Sequence, residues 1–260
     1  MRNILWELKS DKVLEEAKKG NRLDGRSFDE YRKIEIRKGI SENADGSARV
    51  RLGTTEVVCG VKMVSGEPFP DTPGEGSISV GVELLPLASP VFETGPPNEN
   101  ATELARVVDR GIREAKAVNF EKLCISEGEK VWISFVDIYV MNDAGNLFDA
   151  SSIAALASLS GARMPKLDDE YKVVKDEFKG ELKLERKPLL STFAKIGNSI
   201  FFDPDHAEEL AMEARFSLAT TEDNYITAFQ KGGRGSFSRK EIDECIDTAF
   251  KKAKEIRKML

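Results

Sequence analysis

One histidine, three cysteines and no surplus of basic residues set the first limits on this 260-residue chain. Any Ser-His-Asp triad would have to use His206, and no G-x-S-x-G elbow exists to partner it. A hydrolase triad is therefore discounted, and His206 reads as a surface histidine beside carboxylates. Cys59, Cys124 and Cys245 are odd in number and far apart, which excludes the close spacing of a zinc knuckle or redox pair. They read as reduced, mostly packed thiols in a cytoplasmic setting. With 39 Lys and Arg against 45 Asp and Glu, the net charge is −6. A chain whose own field captured nucleic acid would be basic. Contact with RNA or DNA would need a local patch, or a surface completed by a partner. No apolar run is long enough to cross a bilayer, and the opening MRNILWELKSDKVLEEAKKG has no signal-peptide core. Short repeats, heptads, low-complexity tracts and linker-like shifts of composition are absent too. Hydrophobic content of 40% with 32% charged residues is that of a globular protein with an adequate core.

What is present reads as strands followed by helices. A helix is expected over about 9–19, stopped by Gly20, then a turn at Asn21–Arg26. KIEIR (33–37) alternates as a strand, and 48–52 with 56–63 form a hairpin about Gly53-Thr54. Residues 67–76, with three prolines and two glycines, are loop; 77–85 alternates again. Asn100 and Glu103 have the spacing of a capping box for the next helix, as do Ser238 and Glu241 for the last one, over about 239–259. Between them the pattern predicts strands at 130–141, 181–184, 199–203, 214–219 and 225–230, and a small-residue helix at 149–159. This order argues for an α+β or α/β sandwich, read as a single domain over 1–260 with its core at about 21–237.

Four features could carry chemistry. Arg106, Arg110 and Arg113 fall at i, i+4 and i+7, one stripe of a helix whose apolar side holds Leu104, Val107, Val108 and Ile112. The stripe could hold an extended polyanion, or be a solvated face in which Glu99 and Glu103 pair with Arg106 and Arg110. KGGRGS (231–236) precedes the last helix and could offer amides to phosphate, but it lacks the P-loop order; a glycine-rich turn is the simpler reading. Asp203, Asp205, Glu208 and Glu209 could ligate Mg²⁺ or act as an acid, or equally open a helix. Lastly, a phosphate site at the turn before the Ala/Ser helix would want Gly-Ser/Thr-Arg; Asn146, Leu147 and Phe148 stand there, with neither hydroxyl nor arginine.

Taken in order, these pieces resemble the RNase PH family: DGR (24–26), DGSA (45–48), Gly-Thr-Thr (53–55), ELARVVDRGIR (103–113), the strand, turn and small-residue helix, the D-x-D-x-x-E-E segment and GSFSRKEI (235–242). The likeness spans about 21–259. It is closest to the non-catalytic RNase PH-like subunit of the archaeal exosome core. The signature pieces are VELLPLASPVFETGPPNENATELARVVDR, VWISFVDIYVMNDAGNLFDA and FFDPDH.

That resemblance implies an RNase PH, ribosomal S5 domain 2-like fold with two βαβ-like halves, mixed sheets and packed helices. It implies a hexameric ring of three heterodimers made with a catalytic paralogue, which degrades single-stranded RNA from the 3′ end, takes inorganic phosphate as co-substrate and releases nucleoside diphosphates. RNA-binding cap proteins would be further partners. Arg110 and Arg106 match helix positions that reach the RNA backbone, while Arg113 joins the row or serves structure. Asp203 is kept and Glu209 stands for an aspartate, so the two are an acidic remnant. Active relatives also carry an acidic pair where this chain has Glu213, Ala214 and Arg215. The expectation is a chain that is not itself an enzyme, with no metal-binding or cofactor-binding residue assigned in it. Two alternatives stand beside it: an active phosphorolytic exoribonuclease using Asp203 and Glu209, and an assembly scaffold without RNA contact.

Overall fold

The computed structural model describes residues 4–260, with side chains from Leu8 onward. Helix α1 (Ile4–Lys18) starts earlier than the spacing predicts. The first sheet uses β1 (Ile34–Lys38), β2 (Gly46–Leu52), β3 (Thr55–Gly66), β4 (Ser77–Leu84), β5 (Cys124–Ser126) and β6 (Lys130–Asn142). Its order is β1-β2-β3-β6-β4, with β5 on the end of β6. Only β4 and β6 run parallel, and parallel neighbours need a crossover. Helix α2 (Glu99–Glu114) supplies it, laying Leu104, Val107, Val108 and Ile112 on the sheet. Alternation then sorts the faces: Val57, Cys59, Val61 and Met63 of β3 and Val136, Ile138 and Val140 of β6 are buried.

Helix α3 (Leu147–Leu159) runs between this sheet and the next, and nearly every residue in it is buried. Such a helix needs small side chains, and Ala and Ser supply them. A Cβ on Gly46 would meet the Ser158 carbonyl and Ala162, so the close approach of β2 to the end of α3 requires glycine there. After α3 a hairpin, β7 (Arg163–Leu167) with β8 (Val173–Glu181), stands largely in solvent. The second sheet is antiparallel in the order β10-β9-β11-β12, from β9 (Leu189–Ile196), β10 (Ser199–Phe202), β11 (Ala214–Thr220) and β12 (Ile226–Gly233). Leu189 and Leu190 share a core with Ile153 and Leu156, while Phe193, Phe202 and Phe216 pack with Cys245 and Ala249 of α5 (Arg239–Arg257). A six-residue helix, α4 (His206–Ala211), lies between β10 and β11. The result is the expected α+β sandwich.

Several boundaries differ from expectation. The N-cap of α2 is Asn98, whose side chain accepts from Ala101 N; Asn100 lies inside the helix. Both asparagines suit a cap, and the helix takes the earlier. The strand expected at 181–184 does not form: β8 ends at Glu181 and Leu184 makes only an isolated bridge to Val118, while β9 has no counterpart in the predicted set. The box at Ser238 and Glu241 forms as expected.

Candidate functional site

The start of α3 is where an anion would meet a helix dipole and free amides, and here the chain fills it itself. Gly145 (φ 93°) lies so close to the Asp205–His206 backbone that a Cβ would collide with it. Asn146 follows in the left-handed region (φ 56°) as the N-cap. Its side chain accepts from Asp149 N at 3.3 Å, and its Nδ2 donates to Asp203 Oδ1 at 2.7 Å and Asp149 Oδ2 at 2.9 Å. Its backbone N–H donates to Glu209 Oε1 at 2.8 Å. The Glu209 carboxylate thus takes an amide that an incoming anion would need. Phe148 closes the other side, buried beneath the Arg215 guanidinium 4.0 Å from its ring.

Asp203, read from sequence as a catalytic remnant, is a wholly buried hub. It accepts from Arg32 Nε (2.9 Å), Nη2 (2.7 Å) and backbone N (2.9 Å), and from Arg26 Nη1 (3.0 Å). Beside it Arg22 and Glu208 form a buried pair at 2.6 Å. Glu208 and Asp205 also make the capping box of α4, so the acidic run opens a helix, one of the two readings its composition allowed.

Glu209 is different, since no ion pair reaches it among the described residues. Burial pushes its carboxyl up to about 7, with Asp143 adding to the effect and Arg215 and Arg32 opposing it. Asp149 is pushed up to about 6 by burial, against hydrogen bonds from Tyr31 (2.5 Å), Asn146 and Thr192. Tyr31 is in turn driven well upward by burial and by the Asp149 charge. Asp143, His206 and Glu209 bring ligand atoms within 4.8 Å of one another, the grouping that could hold a metal among the described residues.

Both raised carboxyls bind protons more tightly folded than unfolded, so their contribution to stability falls as pH climbs from about 4 through about 7. Glu209→Gln keeps an oxygen for Asn146 N and removes the titrating charge. Urea denaturation is expected to find the variant about 1–3 kcal/mol more stable than the parent at pH 8, and level with it at pH 4. Equal stability at both pH values would contradict this.

The arginine row lies exposed on α2. Arg113 is engaged, with Asp109 at 2.9 Å, the Ile78 carbonyl at 2.8 Å and the Phe120 ring at 5.8 Å. Arg110 reaches only Gln230 Oε1, at 3.4 Å. Among the described residues no acid lies within ion-pair distance of Arg106 or Arg110. The pairings of Glu99 and Glu103 with Arg106 and Arg110 that a solvated face would make do not form among the described residues: Glu103 binds Arg215 Nη2 at 2.6 Å instead. KGGRGS offers no phosphate loop either. Lys231–Gly233 belong to β12, and Gly235 N donates to the Glu213 carbonyl.

The sequence reading missed Arg22, Arg32, Tyr31 and Asp149 as members of this site, and saw Arg215 only as a departure from the acidic pair of active relatives. The contacts Arg22–Glu208, Tyr31–Asp149, Arg32–Asp203 and Arg215–Glu103 span 112 to 186 positions, beyond any local pattern. One signal was available: DGR (24–26) carries Arg26.

No helix among the described residues is long and apolar enough to cross a membrane. Residues 30–165 match the RNase PH profile described as 3′ exoribonuclease family, domain 1, and residues 188–252 match domain 2 of that family. The chain is 49% identical to "Exosome complex component Rrp42" of Thermococcus gammatolerans, covering 99% of this chain and 95% of the relative. It is 46% identical to the protein of that name in Methanopyrus kandleri, over 98% of this chain and 97% of the relative. Among solved structures it superposes on a chain of the Archaeoglobus fulgidus exosome with RNA bound to the active site (TM-score 0.93, 46% identity, 99% of each chain covered). A chain of an archaeal exosome core gives a TM-score of 0.88 at 42% identity, covering 98% of this chain and 97% of that one. The fold, the two consecutive profile matches and relatives near half identity over almost the full length have one reading: this chain belongs to the RNase PH family of 3′ exoribonucleases.

Proposed function

We propose that the chain is a catalytically silent, RNA-positioning subunit of an archaeal exosome ring. It would pair with a catalytic RNase PH-like paralogue that supplies the phosphate site. The observation that carries this is the filled start of α3, where Asn146, Phe148 and Glu209 stand in place of an anion. Phosphorolysis needs inorganic phosphate held in line with the scissile P–O bond, and positioning is most of phosphoryl-transfer catalysis. A carboxylate on the Asn146 amide would take a donor from phosphate and add repulsion, and Phe148 places a phenyl ring where a further donor would be needed. Asp203 is committed to Arg26 and Arg32, and so is not free to act as an acid.

What remains for the chain to contribute is charge and shape. Arg110 and Arg106 would contact successive RNA phosphates; guanidinium pairs with phosphate in bidentate fashion and ignores base identity. Single-stranded RNA, the paralogue and RNA-binding cap proteins are the partners on this reading, in the cytoplasm. The names of the relatives, each an exosome component, support the assembly.

Calorimetric titration of the isolated chain with inorganic phosphate tests the filled site. No saturable heat is expected, and no rise in melting temperature with phosphate. Saturable binding abolished by a substitution at Asn146 would overturn the reading.

A further inference from the structure

Among the described residues Arg106 and Arg110 have no acid within ion-pair distance, although Glu103 sits three residues before Arg106, Glu114 four after Arg110, and Asp109, which pairs with Arg113, lies between them. Pairs at i, i+3 are close enough to form ion pairs, and here Glu103 is held elsewhere. The holder is Arg215 of β11. Its Nη2 lies 2.6 Å from Glu103 Oε1, and its guanidinium stacks on Phe148 at 4.0 Å. A second group fills the gap toward Arg110. Gln230 of β12 donates from Nε2 to Glu103 Oε1 and accepts from Arg110 Nη1 at Oε1, both at 3.4 Å. An amide suits this place because it offers a donor toward the acid and an acceptor toward the guanidinium without adding charge. A carboxylate there would neutralise Arg110, and an ammonium would repel it.

We propose that Arg215 and Gln230 are positioning residues for RNA: Arg215 sequesters Glu103, and Gln230 spaces it from Arg110, so that the arginines of α2 meet the RNA backbone uncompensated. The site that elsewhere would grip phosphate serves here, through Phe148 and Arg215, to keep an acid off the RNA track. This rests on the reading of Arg110 as an RNA contact.

The test measures single-stranded oligoribonucleotide binding to the ring reconstituted with the catalytic paralogue, across a salt series. Arg110→Ala first establishes the contact. Arg215→Met, which keeps bulk over Phe148, is expected to weaken binding about three- to tenfold and flatten the salt slope by about 1, the signature of one lost phosphate contact. Adding Glu103→Gln should restore affinity to within about twofold of the parent, because the competing acid is gone. Arg215→Lys should retain most of the affinity, and Gln230→Glu, which leaves Arg215 in place, should weaken binding as Arg215→Met does. A purely structural role for Arg215 would leave the double variant as weak as the single, and that result overturns the proposal. So does full affinity in Arg215→Met and Gln230→Glu while Arg110→Ala is weak. An unaffected Arg110→Ala ring would sink the RNA reading itself, and this inference with it.

Discussion

Asp203→Ala is expected to destabilise the chain by about 3–5 kcal/mol, because it removes one partner from a buried ionic network. Both carboxylate oxygens are in use: Oδ2 serves Arg32 Nε, Arg32 N and Arg26 Nη1, and Oδ1 serves Arg32 Nη2 and Asn146 Nδ2. Alanine would leave the largely buried Arg32 guanidinium without its carboxylate, while Arg26 would keep Asp24 at 2.5 Å. Arg32 would keep its bonds to the Ala144 and Gly145 carbonyls, which limits the loss without cancelling it. The damage should reach the cap of α3, since Asn146 Nδ2 would keep only Asp149. Urea denaturation followed by circular dichroism measures the change. If Asp203 were a catalytic carboxylate with solvent access, the substitution would alter stability by under about 1 kcal/mol. A small change would therefore contradict the hub assigned to it.

The second large effect concerns RNA. Arg110→Glu in the reconstituted ring reverses a charge on the exposed face of α2, where Gln230 is its only described polar contact. One phosphate contact is lost and one repulsion gained, so affinity is expected to fall about tenfold or more near 0.1 M salt, with a shallower salt dependence. Folding should be untouched, because the side chain pairs with no acid and is exposed. Arg113→Glu should behave differently. It would break contacts to Asp109 and the Ile78 carbonyl, and its cost should appear in stability before it appears in binding. Unchanged RNA affinity in Arg110→Glu would favour a scaffold role.

Local physics made much of this fold readable. The β2–β3 hairpin shows as two alternating runs about a Gly-Thr turn, and it forms at Gly46–Leu52 and Thr55–Gly66. The last helix announces its own start through Ser238 and Glu241. LLSTFAKI is buried at all but one position, so β9 carries no alternation to betray a strand. The β7–β8 hairpin fails the same test from the opposite side, since β8 is exposed along almost its whole length. At the site, sequence could see that hydroxyl and arginine are missing from the turn at Asn146–Phe148. It could not see what replaces them. Glu209 and Arg215 arrive at that turn from 63 and 67 positions downstream, through β10, α4 and β11. The arginine stripe was visible as spacing. Whether Glu103 neutralised it depended on a partner 112 positions away.

The most direct test incubates end-labelled single-stranded RNA and inorganic phosphate with the purified chain, with its catalytic paralogue, and with both together. The chain alone should release no nucleoside diphosphate, and the mixture should release more than the paralogue alone. Phosphate-dependent degradation by the chain alone would contradict the account, and would mean that the start of α3 opens to phosphate after all.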